Sequence, residues 1–197
     1  MKFKLGLTGS IGMGKSTTAK MFADEGCVIW DADKEVHDLY AVGGAAVKPI
    51  GQAFPQSLMD GSLNRSVLKE IIRQDKSALK RLEDITHPLV FQKRQEFTLT
   101  HPNKIGVFDI PLLFETGADS AMDATACVNV SRETQRERVL SRGTMTKADL
   151  DEILKRQIPN LEKCRLAKWV IDTQTLEGTH QQVRQIMSEI RQGVKNA

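Results

Sequence analysis

The first residues whose types and spacing can do chemistry are Gly9-Ser10-Ile11-Gly12-Met13-Gly14-Lys15-Ser16, which match the phosphate-loop pattern G-x-x-x-x-G-K-[ST]. Glycines at these positions let the main chain curl, so that several N–H groups point at one anion. A helix beginning just after them adds about half a positive charge at the same point. Gly12, Met13 and Gly14 are expected to supply amides. Lys15 is expected to reach the β- and γ-phosphates of ATP, the Ser16 hydroxyl to ligate Mg²⁺, and Thr17 to add a donor near the α-phosphate. The chemistry is therefore the handling of a nucleoside triphosphate.

Transfer of the γ-phosphoryl group to an alcohol needs a carboxylate that orients the hydroxyl and takes its proton. Asp31 and Asp33 follow a short apolar run, and residues two apart in an extended segment point the same way. One of them could face an acceptor, and either could instead cap a helix beginning near Lys34. Asp109 ends another apolar run, where a Mg²⁺-associated carboxylate is expected. Pro111-Leu112-Leu113-Phe114-Glu115 then reads as an apolar shelf lining an acceptor pocket, with Glu115 either a polar contact or surface. The stretch 132–165 is rich in arginine, and Arg142 and Arg156 are candidates for a lid that closes over ATP. A closed lid excludes water and sets a cation beside the transferring group. A plain solvated helix face is the alternative for the same residues. His87 precedes Pro88, which is expected to hold it extended and to start a new helix.

The elements that must position these groups can be read from the apolar pattern. Phe3–Thr8 reads as a buried strand before the glycine turn, with a helix from Thr17 to Ala23 after it. Further short strands are expected at 26–30, 105–110, 126–130 and 169–172, and a last amphipathic helix at about 179–191. Strands alternating with helices predict an α/β fold: a P-loop NTPase core with a five-stranded parallel sheet flanked by helices. Such sheets bind ligands at the carboxyl ends of their strands. Between the second and third strands, residues 45–101 carry almost no strand signal, which predicts an all-helical insertion. The expected layout is a core of about 1–40, 102–131 and 166–197, an acceptor-binding insertion of about 41–101 and a lid of about 132–165.

Bulk composition narrows the function classes. With 197 residues, 40% hydrophobic and 27% charged, the chain suits one globular domain with small insertions. A net charge of +3 suits a polyphosphate substrate and is too small to argue for nucleic acid. Cys27, Cys127 and Cys164 are scattered and odd in number, which predicts buried thiols in a reducing compartment. The sequence offers no room for a signal peptide before the first strand, and no apolar run approaches the roughly 18 residues of a membrane helix. The expectation is a cytoplasmic protein with no membrane or nucleic-acid partner, a monomer or weak homo-oligomer.

Taken in order, these residues resemble the dephospho-CoA kinase family. The resemblance rests on Leu7-Thr8 and the phosphate loop through Thr17, on Asp31-Ala32-Asp33, on His87-Pro88-Leu89 and on Ile110 to Glu115. It continues through Gln135, Arg138, Arg142 and Arg156-Gln157, and spans about residues 2–191. It implies a fold like that of nucleoside-monophosphate kinases and transfer of the γ-phosphate of ATP to the ribose 3′-hydroxyl of dephospho-CoA, the last step of coenzyme A synthesis. Asp33 would then be the acceptor-activating carboxylate, Lys15 and Arg142 would act on the transferring group, and residues 12–17 with Arg142 and Arg156 would hold ATP. His37, His87, Leu112 and Glu115 would belong to the acceptor side. Three positions depart from the family pattern: His37 stands where Arg is common, Lys168 where Asp is frequent and Thr173 where Asn is frequent.

Rival readings are another small-molecule kinase of this architecture, acting on a nucleoside monophosphate, shikimate or gluconate, a nucleotide-hydrolysing switch, and a regulatory ATP-binding module. A guanine-reading N-K-x-D is missing, since Asn103-Lys104-Ile105 is followed by Gly106.

Overall fold

In chain order the elements of this computed structural model are β1 (Phe3–Thr8), α1 (Lys15–Asp24), β2 (Val28–Asp31), α2 (Ala32–Tyr40), α3 (Val47–Ala53), β3 (Leu58–Met59) and β4 (Ser62–Leu63). They continue with α4 (Arg65–Gln74), α5 (Ser77–Thr100), β5 (Ile105–Asp109), β6 (Ala124–Asn129), α6 (Arg132–Leu140), α7 (Lys147–Arg156), α8 (Asn160–Leu166), β7 (Trp169–Asp172) and α9 (Leu176–Lys195). The structure describes residues 1–195. The chain divides into two units, one of Met1–Trp30 with His101 onward, the other Asp31–Thr100.

The first unit is built on a five-stranded sheet in the order β2-β5-β1-β6-β7. Pairing is parallel, with Leu7 opposite Asp109 on one side of β1 and opposite Ala126 on the other. β6 and β7 pair with Asn129 opposite Asp172. After β5 the chain crosses from one side of β1 to the other, so the topological switch lies at β1, the strand that feeds the glycine loop. Both sheet faces are buried, as a parallel sheet requires. Leu5, Leu7, Val107, Ala126 and Val128 join Met21 and Phe22 of α1 and Val183, Ile186, Met187 and Ile190 of α9 in one apolar cluster. On the opposite face, a Cβ added to Gly6 would lie 2.9 Å from Leu113 Cδ2, and the Trp30 and Phe108 rings pack with centroids 5.8 Å apart. The expected five-stranded α/β core is therefore present. The last helix runs Leu176–Lys195, longer than the 179–191 read from its apolar stripe, because Thr175 Oγ1 accepts from Gly178 N–H and fixes an earlier start.

The second unit packs α2 to α5 around Leu39, Tyr40, Ala46, Ile50, Phe54, Leu63, Leu68 and Ala78. It begins at Asp31 rather than near residue 41, because Leu39 and Tyr40 bury themselves in this cluster. Two expectations fail here. The insertion is not all-helical: β3 and β4 form an antiparallel hairpin. Its turn places both Asp60 (φ 47) and Gly61 (φ 76) at positive φ, the mirror-image turn that Asp-Gly favours. Pro88 does not start a new helix and does not hold His87 extended, since α5 runs unbroken through both. Pro88 and Asp84, whose carbonyl loses its donor, are both exposed, so the lost bond lies on the solvent side. Leu82, Ile85, Leu89 and Val90 meanwhile pack on the apolar cluster from both sides of the proline. No helix among the described residues is long and apolar enough to cross a membrane.

Candidate active site

The phosphate loop is shaped by what its glycines avoid and by what its carbonyls meet. Gly14 (φ 92) begins α1 with no side-chain cap among the described residues and no acidic residue in the first turn. By contrast Asp31, Asn64, Ser131 and Thr146 cap α2, α4, α6 and α7 with their side chains. The first amides of α1 are thus left for an anion, with Ser16 and Thr17 exposed beside them. Gly12 (φ 79) is equally constrained, since a Cβ there would sit 2.5 Å from Val139 Cγ2.

Four side chains from outside the loop hold it from behind. Gln135 Nε2 donates to the Ile11 carbonyl at 2.7 Å, and Thr173 Oγ1 donates to the Met13 carbonyl at 2.7 Å. Arg138 in turn donates to the Thr173 carbonyl at 2.7 Å. Asn160 Oδ1 accepts from Ser10 N–H at 2.9 Å, while its amide donates to Val128 O at 3.1 Å and Asn129 Oδ1 at 2.9 Å. With these outward groups satisfied, the curl is fixed before any ligand arrives. Of these residues only Gln135 and Arg138 were marked by the family pattern. Asn160 had no sequence signal, and Thr173 was visible only as a departure.

Lys15 Nζ pairs with Asp109 Oδ1, and both side chains are largely buried, 14% and 4% exposed. Asp109 ends β5 next to β1, so a carboxylate stands directly beside the cation that must meet phosphate. Among the described residues no cluster of three or more His, Cys, Asp or Glu could hold a metal ion. A cation here would draw its ligands from phosphate oxygens, water, the Ser16 hydroxyl and Asp109, a donor set of hard oxygens that fits Mg²⁺.

The segment after β5 and the helices after β6 meet in a buried ion pair. Lys163 of α8, fully buried, donates to Glu115 Oε1 at 2.7 Å and to the Pro111 carbonyl at 2.8 Å. Glu115 Oε1 also accepts from Ile158 N–H at 3.0 Å, whereas Oε2 is buried with no hydrogen-bond partner. The expected apolar shelf is split: Leu113 lies under the sheet and Leu112 is 40% exposed. Arg136 joins α6 to α7 through Asp151 at 2.8 Å. Arg142 is exposed past the end of α6, and Arg156 is 80% exposed and pairs with Glu152 at 3.3 Å. Neither arginine bonds the phosphate loop among the described residues.

In the second unit, Asp31 and Asp33 differ in their local contacts. Asp31 caps α2 by accepting from Lys34 N–H at 3.0 Å. Asp33 lies in the first turn, exposed, with His37 one turn later on the same face. Tyr40 hydroxyl meets Thr86 Oγ1 at 3.2 Å, which ties α2 to α5 beside His87. His87 itself is exposed. Arg94, about two turns further along α5, was not singled out by sequence. Its guanidinium is half-buried over the Phe91 ring at 5.4 Å, has no carboxylate partner among the described residues, and is pushed down from its usual pKa by burial.

The dephospho-CoA kinase family model matches residues 3–177. The dephospho-CoA kinase of Ruegeria pomeroyi is 55% identical over 98% of this chain and 98% of its own length, and that of a Jannaschia species is 52% identical over 98% and 100%. Among solved structures, a dephospho-CoA kinase from Campylobacter jejuni superposes with a TM-score of 0.70 at 26% identity, covering 96% of this chain and 98% of its own. Shikimate kinase from Acinetobacter baumannii, at 15% identity and a TM-score of 0.53, shares the fold alone. With a capless phosphate loop, a carboxylate beside its lysine and likeness along nearly its whole length, the chain belongs to the dephospho-CoA kinase family.

Proposed function

We propose that the chain transfers the γ-phosphoryl group of ATP to the ribose 3′-hydroxyl of dephospho-CoA, giving coenzyme A and ADP. The amides from Gly12 to Thr17 grip the triphosphate. Lys15 exchanges Asp109 for the β- and γ-phosphate oxygens and neutralises charge as the bond to the leaving ADP lengthens. Mg²⁺, held through the Ser16 hydroxyl and Asp109, supplies further charge neutralisation on the phosphates when bound.

Asp33 orients the 3′-hydroxyl and receives its proton as the oxygen attacks phosphorus. The observation that supports this role is the division of labour at α2: Asp31 does the capping, so Asp33 is left exposed with no competing partner among the described residues. The Arg94 guanidinium and the His37 imidazole are the donors available to the acceptor's diphosphate on the same helix pair, and His87 and Leu112 border the rest of the acceptor. Glu115, paired with Lys163, lies behind the same region.

Residues 132–165 act as a lid that brings Arg142 and Arg156 onto ATP, residues 41–101 with α2 hold the acceptor, and the sheet carries the nucleotide. The enzyme works in the cytoplasm, as a monomer or weak homo-oligomer. A panel of alcohols offered with Mg-ATP tests the reading: ADP release with dephospho-CoA, and not with shikimate, gluconate or nucleoside monophosphates, is expected. ADP release with one of those instead would replace the acceptor while keeping the kinase.

A further inference from the structure

Two of the three free cysteines lie in contact: Cys164 Sγ of α8 is 3.6 Å from Cys127 Sγ of β6. Cys127 is fully buried, whereas Cys164 is partly exposed. Closing the pair to the roughly 2.05 Å of a disulfide needs about 1.5 Å of approach. α8 is short, seven residues, and follows directly on the candidate lid helix α7, so it is the element that can shift.

From this geometry we infer that Cys127 and Cys164 form a peroxide-oxidisable dithiol whose state is felt by the phosphate loop through Asn160. The connection is a continuous set of contacts. Asn160 lies one helical turn before Cys164, with its amide nitrogen 3.7 Å from Cys164 Sγ and its Oδ1 3.9 Å from Cys127 Sγ. That same Oδ1 accepts the Ser10 amide of the loop. Movement of α8 toward β6 therefore displaces the acceptor that fixes Ser10.

The chemistry balances with hydrogen peroxide as the oxidant. The Cys164 sulfur attacks one peroxide oxygen and the O–O bond breaks. The departing hydroxide takes the thiol proton as water, leaving a sulfenic acid on Cys164. The Cys127 sulfur, losing its proton, then attacks Cys164 Sγ, and hydroxide leaves with that proton as a second water. Two thiols are oxidised by two electrons and one peroxide is reduced to two waters. Cys164 is assigned the first step because it is the partly exposed sulfur and donates its S–H toward Cys127. Burial raises both thiols above their ordinary values, so the reaction is slow until peroxide is in excess. Cys27, buried and 3.4 Å from Met187 Sδ, stands outside the pair and serves as an internal control.

The test uses the whole chain, treated with hydrogen peroxide under native conditions, quenched with an alkylating agent and read by intact mass and peptide mapping. The expected result is loss of two hydrogens, a Cys127–Cys164 linked peptide and an unmodified Cys27. Dithiothreitol should reverse it, and C164S or C127A should lack it. The bonded form is expected to show a KM for ATP raised severalfold, restored on reduction. Retention of all three thiols, or a sulfinic acid on Cys164 without a linked peptide, overturns the dithiol. A linked peptide with unchanged KM for ATP overturns the coupling through Asn160. Failure of dephospho-CoA as an acceptor would be a separate result, because ATP binding can be read without it.

Discussion

Lys15, the first residue of α1, is held by Asp109, the last residue of β5. The pair lies in a largely buried position, where an uncompensated ammonium would be costly. Asp109 therefore gives the buried Lys15 ammonium a partner, which phosphate oxygens would replace in the proposed reaction. In the proposed reaction the Asp109 carboxylate would also accept hydrogen bonds from water on a bound Mg²⁺.

Asp109→Asn is accordingly expected to lower kcat by on the order of 100-fold and to raise the Mg²⁺ concentration needed for half-maximal rate. A Mg²⁺ titration of variant and parent at saturating ATP reads both effects. An unchanged Mg²⁺ requirement would limit Asp109 to holding Lys15.

Asp33→Asn keeps size and exposure but cannot take a proton. It should lower kcat by about 10²–10⁴-fold, the usual range for a lost general base, while leaving ATP affinity intact. Single-turnover rates with dephospho-CoA, beside a titration with a non-hydrolysable ATP analogue, separate the two. Because Asp31 is the residue that caps α2, Asp31→Ala should be milder in rate and felt mainly as a stability loss of about 1 kcal/mol.

How much of this was legible in the sequence depends on the range of the interaction. The phosphate loop, the five strands and the exposed Asp33 are set by local pattern: a glycine spacing, apolar runs and a carboxylate near a helix start. The continuity of α5 through Pro88 was not local, because it rests on Leu82, Ile85, Leu89 and Val90 anchoring both sides. The hairpin carried a signal in Asp60-Gly61 that two-residue strands were too short to reinforce. Asn160, Thr173 and Lys163 act on partners 52 to 160 residues away, which no spacing rule encodes. Glu115 reads from the sequence as either a polar contact or surface, and its buried partner Lys163 is hidden in a charged helical stretch.

Arg94 gives a test on the acceptor side alone. A half-buried guanidinium without a carboxylate partner among the described residues is ready for a phosphate group. Arg94→Gln should raise the KM for dephospho-CoA about 10-fold or more, a charged hydrogen bond being worth roughly 1.5–3 kcal/mol. The KM for ATP should stay within twofold. An equal rise in both constants would point to a folding defect instead.

The Lys163–Glu115 pair should dominate the stability of the segment before α8. Lys163→Met leaves the Glu115 carboxylate buried with its cation gone, and breaking one side of such a pair costs about 3–5 kcal/mol. Urea unfolding should show that loss as a lower midpoint. The double variant Lys163→Met with Glu115→Leu should recover much of it, since no unpaired charge remains. If both variants unfold alike, burial of the methylenes rather than the charge governs the site.

The last expectation concerns the lid. Arg142 and Arg156 stand out in solvent, and only the Arg136–Asp151 pair ties α6 to α7 among the ion pairs of the described residues. The turn between these helices, residues 141–146, is exposed apart from Met145, which is partly buried. An exposed connection with few buried contacts opens at low free energy, so its amides should exchange quickly without nucleotide. Mg-ATP should slow exchange across 141–156 as the arginines engage phosphate, and Arg142→Ala should abolish most of that slowing while leaving protection of β1 and β5 unchanged. Exchange in this stretch that is indifferent to nucleotide would assign these arginines to a solvated surface and leave Lys15 as the cation acting on the transferring group.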